Sequence, residues 1–389
     1  MSPSAAVPDI PWDLVDEARR RTRLVWDRQD LDLREPALAV TWDRPDQPPE
    51  GRSSMADCFR GPVRRMVEDP AEDLRHQLQA VRHGIEHLEA GRDVGMPLAN
   101  HFCLHGIHFG TGPLATAFGS RMIVRDDEVV FYEPAVHTPA EALRLRPPDL
   151  HRSGVLPTIL DRIEYYNEAT GGRVPVTVCD TALPWSIATQ VWHYEDMLEA
   201  TLTAPGAVRH VLDLVTEAII EWDQIQKTRM LRWTGSDAGV PNLWTHRGTY
   251  KGDDCMVAVS PATWEEFFLP YNARVSAAKG GLCYHCCRRH DFQFPGMVKT
   301  PGFMGLDADP AWNDVELIAR ALDGRGVWAW ALGYVDEESF PMHLEWIRRM
   351  RGRVGLFLRA HGRDRAQAVL RARRLREAIA SGEGGSPHA

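Results

Sequence analysis

No run of about 20 apolar residues occurs in the chain, so no segment is predicted to cross a bilayer as a helix. The N-terminus, Met1-Ser2-Pro3-Ser4, lacks a basic stretch followed by an apolar one, and its absence predicts a cytoplasmic protein. Positive charge is in deficit, with 45 Lys and Arg against 54 Asp and Glu and a formal net charge of -9. That balance gives no general attraction to nucleic acid or to an anionic membrane surface. Cysteine is scarce: seven residues, an odd number, do not make a disulfide framework and suit a reducing compartment. No fixed-period repeat is present, and low complexity is confined to Ser381-Gly382-Glu383-Gly384-Gly385-Ser386 in a tail, 381–389, predicted to be frayed.

What is present is a chain able to bury a large core. At 389 residues, 44% hydrophobic and 25% charged, it has the composition of a soluble enzyme built as one barrel or two smaller domains. Residues 1–95 are polar and Pro-rich in places (Arg44-Pro45-Asp46-Gln47-Pro48-Pro49). They include a predicted amphipathic helix over 70–91, with Leu74, Leu78, Val81, Ile85 and Leu88 on one face. This segment reads as a helical or irregular arm packed on the rest. From Met96 to residue 380, short apolar runs alternate with helical patterns, as in βα units around a parallel sheet. The predicted strands are 96–103, 174–179, 240–244, 255–259, 281–284, 303–306, 327–332 and 354–358. Predicted helices over 208–229 and 264–277 lie among them, the latter opened by Ser260-Pro261 as cap and first-turn proline. A hairpin over 122–136, turning at Arg125-Asp126-Asp127, interrupts the alternation as an insertion. Eight strands with intervening helices predict an α/β chain with a (β/α)8 TIM barrel, whose chemistry sits at the C-terminal strand ends; a doubly wound open sheet is the alternative.

The densest chemistry is Tyr284-His285-Cys286-Cys287-Arg288-Arg289-His290, at the end of the apolar run Gly281-Leu282-Cys283. Imidazole and thiolate together favour zinc over magnesium or calcium, which take oxygen ligands. On a strand His285 and Cys287 face one way and Cys286 the other.

In chain order, Gly252-Asp253-Asp254, Ser260-Pro261, Pro270-Tyr271 and Tyr284-His285-Cys286-Cys287 resemble the uroporphyrinogen decarboxylase superfamily. That superfamily includes zinc-dependent methyltransferases that work with corrinoid proteins. Phe118-Gly119, Gly333-Tyr334-Val335-Asp336 and His361-Gly362 extend the resemblance over roughly residues 95–375. It implies a (β/α)8 barrel enzyme. The porphyrin decarboxylases hold their carboxylated tetrapyrrole through a segment of the form Arg-Gln-Ala-Gly-Arg-Tyr, and nothing here matches it; Arg60, Arg64 and Arg65 are the nearest basic cluster. The methyltransferase branch carries His-x-Cys and a later cysteine, and His285-x-Cys287 matches the first two. No cysteine follows Cys287, so His361 is the implied replacement, with an acid-base role as its alternative. The expectation is a zinc-dependent methyltransferase acting on a small-molecule substrate with a corrinoid protein or thiol acceptor. Decarboxylation of a carboxylated small molecule or tetrapyrrole, and a non-catalytic tetrapyrrole- or corrinoid-binding barrel, are the alternatives. A homodimer is the expected assembly.

Other residues join the list. His101, Cys103, His105 and His108 follow the first predicted strand, and His105, just past its end, is a second candidate to complete the metal shell. Asp180 ends the second predicted strand and could act as a base, orient a ligand or cap the next helix. Of Asp253 and Asp254, which point to different sides, Asp254 is the preferred acid-base group. Asp307 and Asp309 are similar candidates. Trp244, His246 and Tyr250, placed after the third predicted strand, are expected to line a substrate pocket, and Arg288 to hold an anionic substrate.

Overall fold

The computed structural model describes residues 7–42, 63–99, 102–106, 109–125, 130–237, 243–334 and 336–381. Its centre is a parallel sheet of β1 (Leu38–Trp42), β4 (Thr249–Gly252), β5 (Leu282–Cys286), β6 (Phe303–Ala308), β7 (Val327–Tyr334) and β8 (Gly355–Gly362), in the order β1-β8-β7-β6-β5-β4. Between β1 and β4, extended segments continue the circuit through parallel bridges Leu38 to Pro97, Leu104 to Val176 and Val176 to Trp233. Thr249 Oγ1 then donates to the Asp237 carbonyl at 2.7 Å, which brings the last of these segments against β4. With 97–99 and 102–104 as the second strand position, 174–178 as the third, and the stretch reaching Asp237 a link onto β4, the architecture is the expected (β/α)8 barrel. The hairpin is β2 (Arg121–Ile123) against β3 (Phe131–Glu133), antiparallel with Arg121 opposite Glu133, as expected for an insertion.

Helices cover the outside because their apolar stripes need the sheet. The helix Pro70–Asp93 opens on Asp69, whose carboxylate accepts from the Ala71 and Glu72 amides, and it buries Leu74, Leu78, Val81 and Leu88. The helix Pro205–Arg229 buries Val211, Val215, Ile219 and Trp222 on the stripe that the periodicity predicts. Inside the barrel a separate cluster of Leu98, Tyr250, Cys283, Met304, Ala329 and Phe357 fills the lumen. The helix Trp12–Trp26 closes one end: Trp26 packs edge-on against Phe357 at 5.2 Å and donates through Nε1 to the Trp244 carbonyl. No helix among the described residues is long and apolar enough to cross a membrane.

Four expectations are corrected. The first strand is Leu38–Trp42, inside the span read as an arm, paired in register with Leu358–Gly362. Residues 255–259 are not a strand; Asp254–Ala258 is a 3-10 turn, and the strand lies just upstream at Thr249–Gly252. Leu243 and Trp244 therefore precede this strand and form none of their own, while 240–242 lie outside the described residues. The helix expected over 264–277 is two, Pro261–Phe267 and Leu269–Lys279, interrupted where Pro270 removes an amide donor. Ser260 is its cap, accepting from the Thr263 amide at 3.1 Å.

Candidate functional site

The parallel register sets which side chains meet at the mouth. Gly252 lies opposite His285, and His285 opposite Asp307, so alternation along β4, β5 and β6 turns Tyr250, His285 and Asp307 into the lumen. A shift between Leu282 and Cys283 in the pairing with β6 is what brings Asp307 into that row. Cys286 points outward and is buried in the main core, where burial pushes its thiol up, as the strand geometry predicts.

Asp307 Oδ2 accepts from His285 Nδ1 at 2.6 Å and from the Tyr250 hydroxyl, which also lies 3.2 Å from the same ring nitrogen. His285 Nε2 is left facing Cys287 Sγ at 3.0 Å. Asp254, in the turn that follows β4, completes the group: one oxygen accepts the Cys287 amide at 2.9 Å. The ligand atoms of Asp254, His285 and Cys287 lie within 4.8 Å of one another. A Cβ built on Gly252 would sit 3.5 Å from Asp254 Oδ2 and 3.6 Å from His285 Cδ2, so both side chains converge over that glycine.

The donor set suits a borderline divalent metal. Imidazole, thiolate and carboxylate are zinc ligands, three of them leave a fourth position open, and a carboxylate on the far ring nitrogen is the partner that fixes a ligand histidine's tautomer. Burial disfavours the His285 imidazolium, but the Asp307 carboxylate overrides it and holds the ring well above the ordinary histidine range. A metal on Nε2 would displace that proton.

The structure brings Asp254 to the His285 and Cys287 pair where His361 or His105 was expected. No group of three ligand atoms at this spacing includes either histidine among the described residues. His361 lies on the lumen face of β8, 3.1 Å from Thr41 Oγ1 on β1, which also accepts from Arg359 Nε at 3.2 Å. His105 is half-buried, its carbonyl accepting from Gln77. His101 and His108 lie outside the described residues. Asp180 caps no helix, since the next one starts at Pro184. It is buried, and its Oδ1 has no hydrogen-bond partner. Burial pushes its carboxyl up against the opposing pull of Lys251 and, more weakly, His285. Asp253, the other half of the carboxylate pair, is fully buried. It accepts from Ser186 Oγ at 2.7 Å and Asn272 Nδ2 at 3.3 Å, and burial raises its pKa to about 7.

Two of the pocket residues are elsewhere. Trp244 is buried, and its Nε1 donates to the Thr234 carbonyl. His246 Nε2 contacts Asp27 at 3.0 Å, next to Arg28, which donates to the Gly324 carbonyl ahead of β7. Both precede β4, so they lie toward the N-terminal ends of the strands; the misplaced strand is the reason they were expected at the mouth. Arg288 is exposed and lies over the Trp312 ring at 5.1 Å. Asp309 caps the Ala311 amide. Asp307, named from the sequence as an acid-base candidate, is instead the orienting carboxylate, and the signal for that role is cross-strand register.

Residues 107–228 match the model of the family described as Uroporphyrinogen decarboxylase (URO-D). Over nearly the whole chain the fold is similar to that of a solved structure, a methyltransferase from Methanosarcina mazei, with a TM-score of 0.58. The family resemblance is therefore one of residues 107–228 to the uroporphyrinogen decarboxylase family. The similarity to the Methanosarcina protein covers 94% of this chain and 98% of that one at 14% identity, which establishes the shared fold. No curated protein matches the chain in sequence. The URO-D match ends in the helix Pro205–Arg229, upstream of Asp254, His285 and Cys287, so the family resemblance and the candidate metal-ligand group are separate observations.

Proposed function

We propose that this uroporphyrinogen decarboxylase-type barrel is a zinc-dependent methyltransferase that moves a methyl group between a corrinoid held by a partner protein and a thiol or related acceptor. The observation that carries the proposal is the convergence of Asp254, His285 and Cys287 at the strand ends. The likeness to a methyltransferase fold agrees with it. When bound, zinc would supply Lewis acidity, lowering the pKa of an acceptor thiol in the open position. Asp307 holds His285 Nδ1 and leaves Nε2 toward Cys287, where it would serve as a zinc ligand, and Tyr250 fixes Asp307 in turn. The Cys287 amide keeps one Asp254 oxygen engaged and leaves the other for the site. One imidazole, one thiolate and one carboxylate leave the zinc complex formally neutral before the acceptor arrives.

The test is the zinc content of protein purified without chelator. About one zinc per chain, lost in Cys287→Ser and bound roughly 10- to 100-fold more weakly in Asp307→Asn, is expected. Sub-stoichiometric zinc that Cys287→Ser leaves unchanged would overturn the metal site. A decarboxylase reading is favoured by Arg359 and His361 sharing Thr41 on the lumen face, where they could meet a carboxylate and a proton. It requires activity that survives chelators and suffers more from His361→Ala than from Cys287→Ser.

A further inference from the structure

A second group of metal-ligand side chains lies outside the barrel mouth, where the hairpin-bearing insertion meets the helix Tyr194–Thr203. His137, His193 and Asp196 present ligand atoms within 4.8 Å of one another. The backbone places them. Val136 and Trp192 form a parallel bridge, with the Ala135 and Val136 amides on the Val191 carbonyl at 3.1 Å and the His193 amide on the Val136 carbonyl at 2.8 Å. His137 and His193 are each one residue beyond that bridge, and their rings stack 5.6 Å apart at 30°. Asp196 is in the first turn of the helix that begins just after His193, so its carboxylate returns to the same point.

The separations discriminate between two kinds of contact. His193 Nδ1 lies 3.2 Å and His137 Nδ1 3.6 Å from Asp196 Oδ2. The His193 nitrogen is shielded from solvent and makes no hydrogen bond, and 3.6 Å is too long for one. Two ligands on one tetrahedral zinc, each roughly 2.1 Å from it, stand about 3.4 Å apart. Glu141, four residues after His137, is committed to the His137 and Thr138 amides at 2.9 and 3.0 Å. It completes a capping box that holds His137 in place.

We propose that His137, His193 and Asp196 form a second site for a borderline divalent transition-metal cation of the zinc and cobalt class. The two imidazoles exclude magnesium and calcium as preferred occupants, and the exposed edge at His137 leaves the remaining position to water. A metal there clamps the end of the insertion to the helix Tyr194–Thr203. The site shares no residue with the His285 group and stands independently of the proposed function.

Cobalt(II) titration separates the two sites, because a thiolate ligand gives an intense near-ultraviolet charge-transfer band and a nitrogen-oxygen site gives only weak visible bands. Cys287→Ser is expected to bind one cobalt per chain without the thiolate band. Adding His137→Ala and His193→Ala should weaken that binding by at least the roughly 10- to 100-fold that an outer-shell loss costs. It should also abolish the rise in Tm with added zinc. In the otherwise wild-type chain the double histidine variant should lose one cobalt while any thiolate band stays, which keeps the test open if Cys287→Ser does not fold. Cobalt stoichiometry and zinc-dependent Tm unchanged by His137→Ala with His193→Ala would overturn the proposal.

Discussion

Ionisation of Asp253 should make stability fall with rising pH, by an amount set by its burial. The carboxyl is fully buried, and although Ser186 and Asn272 both donate to it, the loss of solvation outweighs them and lifts its pKa from 3.8 to about 7. Between these values the folded chain keeps a proton that the unfolded chain has released. Stability from this group is therefore complete below about pH 4 and is lost as pH rises through about 7. Three units at about 1.4 kcal/mol each amount to roughly 4 kcal/mol. The assay is urea unfolding of wild type and Asp253→Asn from pH 4 to pH 8. Other groups titrate in both proteins, so the informative quantity is the difference between them. The wild type should lose roughly 4 kcal/mol relative to the variant over that range. A difference constant to about 0.5 kcal/mol, the usual limit of additivity, would refute the assignment of a neutral buried carboxyl.

Two further outcomes follow from packing. Arg162 pairs with fully buried Asp73 and donates to the Met66 and Val67 carbonyls, so Arg162→Met should cost about 3–5 kcal/mol by stranding the carboxylate. Adding Asp73→Asn should recover part of the loss in thermal unfolding. Gly248 has φ +66 and its missing Cβ would meet Met304 Sδ, and the Gly281 carbonyl at 2.8 Å. Gly248→Ala should therefore lower stability by more than the ~1–2 kcal/mol of left-handed strain alone, and a Tm equal to wild type would contradict the close approach.

The elements legible in the sequence are those whose burial is written in local periodicity. The helices Pro70–Asp93 and Pro205–Arg229 carry complete apolar stripes, and β5 to β8 are apolar runs of normal length. β1 is five residues flanked by prolines, and its partner residues on β8 are 320 positions away, as for Thr41 and His361. No local pattern reports such a pairing. β4 is four residues with a lysine in the middle. Lys251 is buried because Thr181 Oγ1 accepts from it at 2.8 Å and Asp223 lies 3.6 Å away, so its polarity disguised a strand. That one misreading moved the strand into Cys255–Val259 and sent Trp244 and His246 to the wrong end of the barrel. His285 and Cys287 escaped it, because two-residue alternation on a well-marked strand needs no partner to be read.

The same register divides the two adjacent aspartates into different chemical species. β4 ends at Gly252 on the lumen side, and the Asp253 amide still donates to the His285 carbonyl at 3.0 Å, so the chain leaves the sheet at this point. Asp253 turns outward to Ser186 on the helix Pro184–Val191 and Asn272 on the helix Leu269–Lys279. Asp254 turns forward over Gly252 to Cys287, across 33 positions of sequence. Only the forward carboxylate has solvent and a cysteine amide to support its charge, and only it can face a metal. Burial holds Asp253 behind it protonated up to about pH 7 and so keeps a second negative charge away from Asp254, which divides the pair into one candidate ligand and one buried anchor, where the sequence preferred Asp254 as the acid-base group.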